Sequence, residues 1–278
     1  MQKKLNVLPP VLTIAGSDCS GGAGVQADLK TMTANKCYGM SAFTFLTSQN
    51  TTGIKGVFDI SATYLKEQID TCCEDIMPLA TKTGAVFDEE KIKVIVECIK
   101  FWKLKNIVVD PVMVCTANGG VTDSLLKPEA ILSMIDDLFA VADIITPNIP
   151  EGEVLYSKIT GKNIKIDTHK KMEQVAVEIS KKVKGKNVLL KGGHSVDCDD
   201  CLYTDEKCIW FKGERIDTKN THGTGCSLSS AIVCNLAKGF DIVESCKRAK
   251  EYVTGAIKNN PQLGEGFGPI NHCWVIKS

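Results

Sequence analysis

The stretch Thr221-His222-Gly223-Thr224-Gly225-Cys226-Ser227 leads directly into the small and apolar residues Leu228-Ser229-Ser230-Ala231-Ile232-Val233. Two glycines one residue apart allow the backbone to turn sharply, and the apolar periodicity that follows predicts a helix beginning at the turn. The first N–H groups of a helix lack partners within it, and the helix dipole adds positive charge beside them. Residues 223–226 are therefore predicted to form an anion pocket that suits a phosphoryl group.

Cys226 lies at the mouth of this predicted pocket. A helix N-terminus lowers the pKa of a thiol below its usual value of about 8.5, so we expect a partial thiolate near neutral pH. Such a group accepts the proton of a substrate hydroxyl while the oxygen attacks phosphorus. A glycine-rich turn with a buried cysteine is the simpler alternative. A cysteine nucleophile for acyl transfer is another, although His222 is the only nearby histidine and no third orienting group is apparent.

Composition restricts the class of ligand and the number of domains. The chain has 278 residues, 44% of them hydrophobic, and we predict one α/β domain over residues 1–278. Lysine plus arginine and aspartate plus glutamate number 33 each, so no overall field favours nucleic acid or an anionic membrane. A small-molecule ligand is therefore expected.

Thirteen cysteines are scattered through apparent core segments and do not frame a short loop-rich domain. That pattern favours a reducing cytoplasm, and neither a signal peptide nor a transmembrane stretch is evident. Cys198 and Cys201 form a CxxC near His194 and Cys208, which is compatible with zinc. The second half of a zinc motif is missing, so ordinary reduced cysteines are the favoured interpretation.

Strand and helix patterns alternate along most of the chain, which predicts a mostly parallel central sheet covered by helices on both faces. The predicted strands are 11–16, 39–47, 79–83, 106–110, 142–146 and 188–190, with a hairpin of 201–204 and 208–212. The predicted helices are 25–35, 61–75, 168–182 and 242–259, with others beginning near 88, 128, 148 and 225.

Polar residues follow the first two predicted strands. Asp18 lies in a glycine-rich turn where a ligand hydroxyl or amine could reach it, and an Asx turn is the local alternative. Gln49 follows the second strand, and its amide offers a donor and an acceptor to one planar heterocycle. A loop glutamine bonded to backbone is the alternative for Gln49.

Charged residues follow the later strands. Asp110 ends a buried strand, where it is placed to meet a metal or a metal-bound phosphate. Asn148 and Glu151 suit either a helix cap or the binding of Mg²⁺-bound water beside nucleotide phosphates. Lys191 lies where it can neutralise phosphate charge.

Taken in order, these motifs make the chain resemble the ribokinase-like superfamily, and within it the hydroxymethylpyrimidine and phosphomethylpyrimidine kinases of thiamine biosynthesis. The resemblance runs from about Val11 to His272. Its motifs are AGSDCSGGAGVQADLKT at 15–31, TSQNTTG at 47–53, VVDPVMV at 108–114, ITPNIPE at 145–151, LKGGH at 190–194, NTHGTGC at 220–226 and GPINH at 268–272.

The resemblance implies a ribokinase-like three-layer sandwich, ATP and Mg²⁺ as cofactors, and a homodimer. It also implies phosphorylation of 4-amino-5-hydroxymethyl-2-methylpyrimidine and then of its monophosphate. The implied site residues are Gln49, Gly16 and Asp18 for the pyrimidine; Lys191, Asn148 and Glu151 for the nucleotide; Asp110 and Glu151 for Mg²⁺; and Gly223, Thr224, Gly225 and Cys226 for the anion hole. Cys226 stands where other ribokinase-like enzymes place an aspartate base.

Two positions depart from the family pattern. Ala85 follows Lys82-Thr83-Gly84 where methionine is common, which shortens an apolar wall of the expected substrate pocket, and Gly152 replaces the usual alanine. A pyridoxal or pyridoxine kinase is the nearest alternative, since the same scaffold holds another hydroxymethyl heterocycle. A non-catalytic pyrimidine-binding protein is an alternative of a different class.

Overall fold

The computed structural model describes residues 8–115, 123–124, 126–193 and 197–276. The strands, in chain order, are β1 (Pro10–Ala15), β2 (Tyr38–Phe43), β3 (Phe45–Asn50), β4 (Gly53–Asp59), β5 (Ala80–Thr83), β6 (Ile107–Val109), β7 (Val114–Cys115), β8 (Asp123–Ser124), β9 (Ile144–Ile145), β10 (Asn187–Leu190), β11 (Asp200–Thr204) and β12 (Lys207–Phe211). The helices are α1 (Gly24–Ala34), α2 (Ala62–Asp75), α3 (Glu89–Trp102), α4 (Ala130–Ser133), α5 (Phe139–Val141), α6 (Ile149–Thr160), α7 (His169–Lys182), α8 (Thr224–Ala237) and α9 (Ile242–Lys258). A π-helical turn over Met134–Leu138 joins α4 to α5.

An eight-stranded sheet with the order β12-β11-β10-β9-β6-β5-β1-β2 forms the middle layer. The strands from β10 to β2 are parallel, and β11 and β12 add an antiparallel hairpin at one edge. β3 with β4, and β7 with β8, form separate two-stranded antiparallel sheets. The hairpin predicted near residues 201–212 is confirmed.

Side chains alternate between the two faces of the sheet and create two cores. Leu12 and Ile14 of β1 pack in the core formed with α2, α3, α6 and α7. Val11 points to the opposite face, in the core formed with α1, α8 and α9. The sheet therefore lies between two helical layers, and the predicted three-layer α/β sandwich is confirmed.

Local capping positions several helices where the sequence predicts them. Ser61 caps α2, with its hydroxyl accepting the N–H of Tyr64, and Asp88 caps α3 by accepting the N–H of Lys91. No helix in the described part of the chain is long and apolar enough to cross a membrane.

The single strand predicted over residues 39–47 is wrong. Thr44 separates β2 from β3, with its N–H donating to the Ala15 carbonyl and its hydroxyl to the Ala85 carbonyl. The chain therefore leaves the main sheet at Thr44 and continues as a hairpin of β3 and β4. The sequence does not predict β4, because its two glycines, Gly53 and Gly56, weaken the strand pattern.

Candidate functional site

A cavity of about 670 Å³ lies at the carboxyl ends of the parallel strands. We call the side near β3 the hairpin end; it is lined by Gly16, Asp18, Phe45, Thr47, Gln49 and His222. The other side, the lysine end, is lined by Lys82, Asp110, Asn148, Glu151 and Lys191, and residues 223–226 line the cavity between the two ends. The cavity thus brings together all the site residues that the sequence predicts.

The N-terminus of α8 opens between the two ends. Gly223 precedes the helix with a φ of +82° and offers no side chain as a cap, and a Cβ there would collide with the carbonyl oxygen of Gly22. Ser227 donates its N–H to the Gly223 carbonyl, closing the first turn. The N–H groups of Gly225 and Cys226 lie within that first turn, where a helix provides no internal partner. Both residues line the cavity. This is the turn and helix start that the glycine pattern predicts.

The expected direction of the Cys226 pKa is wrong. Burial raises the pKa of this thiol to about 11, although the charge of Lys82 lowers it. The carboxylates of Asp28 and Asp110 raise it further. At neutral pH Cys226 is therefore a neutral thiol at the cavity floor.

Asp110 and Lys191 form a buried ion pair beside the helix start. Lys191 Nζ lies 2.8 Å from Asp110 Oδ1, and the Ser229 hydroxyl oxygen lies 3.3 Å from Asp110 Oδ2. A Cβ added to Gly225 would lie 3.3 Å from Lys191 Nζ. Burial lowers the pKa of Lys191, but the charges of Asp110 and Glu151 outweigh it and raise the pKa overall. The ammonium therefore lies charged next to the N–H groups of the helix start.

Asn148 and Glu151 form a complete capping box at the start of α6. Asn148 Oδ1 accepts the N–H of Glu151 at 2.9 Å, and Glu151 Oε2 accepts the N–H of Asn148 at 2.8 Å. Burial raises the pKa of Glu151; Lys191 lowers it and Asp110 raises it again. The capping interpretation is thus confirmed. Asn148 and Glu151 also line the cavity, and their role in nucleotide binding stays a prediction.

Lys82 is a charged residue of the site that the sequence analysis does not identify. It is fully buried in β5, with Nζ 2.6 Å from Asp28 Oδ1, and Asp28 also accepts the hydroxyls of Thr13 and Ser230. Burial lowers the pKa of Lys82, but Asp28 and other nearby acidic groups raise it overall. A lysine inside the buried strand Thr81-Lys82-Thr83 is the sequence signal, because such a lysine needs a charged partner.

Asp18 forms the Asx turn named as the alternative. Its Oδ1 accepts the N–H of Ser20, and its Oδ2 accepts the N–H of Ala23 and lies 2.8 Å from His222 Nε2. Burial raises the pKa of Asp18, but the His222 hydrogen bond, those from Ser20 and the His222 charge outweigh it, lowering the pKa to about 2. Asp18 therefore orders its own loop and His222, and both of its carboxylate oxygens are engaged by protein groups.

Gln49 faces the cavity from β3. Its Oε1 lies 3.3 Å from the Thr47 hydroxyl, which donates its proton to the Ser17 carbonyl at 2.8 Å, and its Nε2 lies 3.4 Å from His222 Nε2. Because the Asp18 carboxylate only accepts, His222 Nε2 carries a proton toward it, so the Gln49 amide N–H groups face another donor. Those N–H groups are therefore available to an acceptor on a ligand. Gly16 lies beneath the Phe45 ring, which a Cβ at residue 16 would penetrate.

The far wall of the lysine end is not predicted by the sequence. It is formed by residues 214–216, Thr218 and the α9 residues Val253, Thr254 and Ile257. The apolar side chains of α9 give no signal that separates a cavity wall from an ordinary helix face.

The residues considered as zinc ligands, His194, Cys198, Cys201 and Cys208, are not among the described side chains that lie close enough to share a metal. His194 lies outside the described residues, and Cys201 is buried in β11. Within the described residues, the His, Cys, Asp and Glu side chains close enough to share a metal are His169, Asp197 and Asp199.

The sequence matches the phosphomethylpyrimidine kinase family model over residues 18–271. It is 42% identical over 264 residues to the thiamine biosynthesis bifunctional protein of Geobacter sulfurreducens, covering 94% of this chain and 52% of that longer protein. It is 37% identical over 269 residues to the hydroxymethylpyrimidine/phosphomethylpyrimidine kinase of Staphylococcus aureus strain Mu50, covering 96% of this chain and 94% of that protein.

Solved structures give the same relationship. Phosphomethylpyrimidine kinase from Clostridium difficile 630 superposes with a TM-score of 0.76 at 44% identity, covering 90% of this chain and 99% of that one. Bacillus subtilis pyridoxal kinase with ADP has a TM-score of 0.84 at 34% identity, covering 95% and 97%. The resemblance inferred from the motifs is confirmed: the chain belongs to the phosphomethylpyrimidine kinase family.

Proposed function

We propose that this chain is an ATP-dependent kinase that phosphorylates 4-amino-5-hydroxymethyl-2-methylpyrimidine and then its monophosphate. The observation that carries the proposal is one cavity that joins a free amide donor at Gln49 to the open N-terminus of α8. An amide reads the ring nitrogens of a heterocycle, and the helix start binds a phosphoryl group. A hydroxymethyl group between them would lie where phosphoryl transfer takes place.

The hairpin end would hold the pyrimidine. The Phe45 ring offers an apolar face, and the Gln49 amide offers N–H groups to a ring nitrogen. Most of the residues that line this end are neutral, and the Asp18 charge is matched by its own hydrogen bonds. An uncharged ring therefore enters without displacing a buried ion.

The lysine end would hold the phosphates of ATP. Phosphoryl transfer depends on positioning and on neutralising charge over the transferring oxygens. Lys191 and the N–H groups of Gly225 and Cys226 converge on one region of the cavity. They would stabilise the negative charge that develops on the transferring group.

The residues present fit a magnesium ion at this end. Asp110 and Glu151 are buried carboxylates; burial raises the pKa of Glu151, the Asp110 charge adds to the increase, and an added cation relieves that repulsion. Glu151 already accepts the backbone N–H groups of Asn148 and Met113, so Asp110 would be the closer ligand and Glu151 would act through water. Two carboxylates leave the remaining positions to phosphate oxygens and water, as Mg²⁺ prefers. Bound Mg²⁺ would supply charge neutralisation.

Cys226 would orient the substrate hydroxyl. Its raised pKa keeps the thiol protonated, and a protonated thiol serves as a weak hydrogen-bond donor or acceptor, not as a base. A loose phosphoryl-transfer transition state needs little prior removal of the hydroxyl proton. Positioning is therefore the role of Cys226 that the structure supports best.

Pyridoxal phosphorylation is the second candidate function. It is favoured by the similarity to Bacillus subtilis pyridoxal kinase along 95% of the chain. Ala85 lines the cavity and leaves room beside the ring position, which admits a differently substituted heterocycle.

We also propose that residues 1–278 act as one kinase domain in the cytoplasm, as a homodimer. Free thiols throughout the described chain support a reducing compartment. The outer face of the β3–β4 hairpin carries the paired residues Leu46 and Phe58, with Phe58 70% exposed, and a second copy would cover it. Sedimentation of wild type and Phe58→Lys tests this: the dimer should dissociate in the variant, and a monomeric wild type would contradict it.

ADP release with ATP and Mg²⁺ tests the function directly. The pyrimidine alcohol, its monophosphate and pyridoxal are compared side by side as acceptors. The proposal expects higher kcat/KM for the pyrimidine alcohol than for pyridoxal, and turnover of its monophosphate. A preference for pyridoxal would establish the second candidate, and ligand binding without ADP release would exclude both.

A further inference from the structure

Cys19 lies in the glycine-rich loop after β1, outside the residues that line the cavity. Its Sγ lies 3.1 Å from the carbonyl oxygen of Gln49 and 3.2 Å from the backbone nitrogen of Gln49. A thiol both donates and accepts, so S–H donates to the carbonyl while the sulfur accepts the N–H. One side chain thus satisfies both main-chain polar groups of the residue whose amide faces the cavity.

These groups are available because β3 has a free edge. β3 pairs with β4 on one side only, and the loop after β1 runs along the other side. Ser17 donates its N–H to the Phe45 carbonyl at 2.9 Å, and its own carbonyl accepts the Thr47 hydroxyl at 2.8 Å. At Gln49 the Cys19 sulfur, in place of the backbone of Ser17, pairs with the free edge of β3. This contact lies next to a bulge between Ser48 and Gln49.

We infer that Cys19 is a positioning residue, which holds the backbone of Gln49 so that its amide faces the ring of the substrate. The inference rests on the proposed function, because that function assigns Gln49 to the ring. Cys19 touches neither the cavity nor the helix start at residue 223, so its effect on substrate binding passes through Gln49.

The contact matters because a glutamine side chain has three rotatable torsions. Among the described residues its end has only long polar contacts, 3.3 Å to the Thr47 hydroxyl and 3.4 Å to His222 Nε2, so the position of its backbone decides where the amide lies. Releasing the backbone adds motion that must be lost again when the ring binds. That cost appears in KM, since Cys226 and Lys191 remain in place for the transfer step.

The test compares Cys19→Ala with Cys19→Ser, using Cys273→Ala, at another exposed thiol, as the matched control. Serine keeps a group that donates and accepts, whereas alanine removes both functions. The variants should fold, because the hairpin tip is held separately by the Phe267 N–H, which donates to the Thr51 carbonyl at 3.0 Å.

Two readouts are measured. Hydrogen exchange in the peptide containing Gln49 should accelerate in Cys19→Ala and return toward wild type in Cys19→Ser. KM for the pyrimidine alcohol should rise by about threefold to tenfold in Cys19→Ala, the loss expected for about one hydrogen bond, with kcat within about twofold. Cys19→Ser should restore KM to within about twofold, and Cys273→Ala should change neither readout.

Unchanged exchange or unchanged KM in Cys19→Ala would overturn the inference, as would a serine variant as impaired as alanine. If Gln49→Ala raises KM while Cys19→Ala does not, the proposed function stands and the positioning role falls. If the wild type does not phosphorylate the pyrimidine, the proposed function falls, and exchange at Gln49 still tests the Cys19 contact by itself.

Discussion

The two ends of the cavity are built from different interactions. The lysine end and its margin carry three lysine–carboxylate pairs with little exposure: Lys82 with Asp28 at 2.6 Å, Lys191 with Asp110 at 2.8 Å and Lys250 with Asp200 at 2.8 Å. The hairpin end carries one such contact, between His222 and Asp18, and otherwise an amide, a hydroxyl and an aromatic ring. The difference matches the proposed function, in which the lysine end binds a polyphosphate and the hairpin end binds an uncharged ring.

This difference changes what a substitution does at each end. Removing one partner of a buried ion pair leaves a charge without compensation, which costs both stability and transition-state binding. Removing a neutral hydrogen-bonding group costs mainly the affinity for its ligand. Variants at the lysine end should therefore lower kcat and stability together, whereas variants at the hairpin end should mainly raise KM.

The largest effect is expected for Lys191→Met. Asp110 and Glu151 then lose their shared cation, so we expect kcat/KM for ATP to fall by about 10²-fold to 10³-fold. The free energy of unfolding should fall by about 3–5 kcal/mol, as for a broken buried pair. Lys212→Met is the control, because Lys212 is 83% exposed in its pair with Asp199 and should change stability by less than about 1 kcal/mol. Wild-type kinetics in Lys191→Met would contradict the claim that the buried ion pairs distinguish the lysine end from the hairpin end.

The sequence predicts the lysine end well because strand ends there carry charged residues in a parallel sheet. Asp110 follows β6 and Lys191 follows β10, on either side of β9, and the parallel sheet brings both to the same edge, where their side chains meet at 2.8 Å. Lys82 is missed because it lies inside a strand and its partner, Asp28, lies in α1, a contact visible only once the layers are assembled.

The hairpin end is less predictable from the sequence. Gln49 is identified, but as a residue beyond a strand, because the break at Thr44 depends on hydrogen bonds to Ala15 and Ala85, which are distant in the chain. The predicted lowering of the Cys226 pKa is wrong for the same kind of reason. The helix start is a local feature of the sequence, whereas the burial that raises the pKa comes from other elements. Local motifs therefore predict which residues meet, and tertiary burial decides their protonation.

Cys226 lies between the two ends, and two variants distinguish its roles. Cys226→Ala should lower kcat by about 10²-fold if the thiol orients the hydroxyl and excludes water. Cys226→Ser should retain kcat within about tenfold, because a hydroxyl makes the same hydrogen bonds. A serine variant as inactive as alanine would favour a thiolate base, and normal turnover in Cys226→Ala would remove the residue from catalysis.

At the hairpin end, Gln49→Ala should act on affinity. We expect KM for the pyrimidine alcohol to rise by about tenfold to a hundredfold, as for one or two lost hydrogen bonds, with kcat and KM for ATP little changed. Ser48→Ala is the neighbouring control, since Ser48 is exposed on the opposite face of β3. A fall in kcat as large as that of Cys226→Ala would show that the two ends are not separable.

The smallest effect on turnover is expected at Asp18, whose contact with His222 lies at the hairpin end and whose contribution to stability depends on pH. The folded pKa of Asp18 is about 2 against an ordinary 3.8, so the unfolded state binds more protons between these values. The contribution, about 2 kcal/mol, is present above pH 4 and is lost as pH falls through 2. Asp18→Asn should therefore unfold more easily than wild type at pH 7, and the difference should shrink steadily below pH 4 in denaturant titrations. Because Asp18 orders its loop and does not bind the ring, kcat should stay within about threefold of wild type. If the difference in unfolding free energy between wild type and Asp18→Asn stayed constant from pH 7 to pH 2, the charge of the Asp18 carboxylate would not contribute to stability.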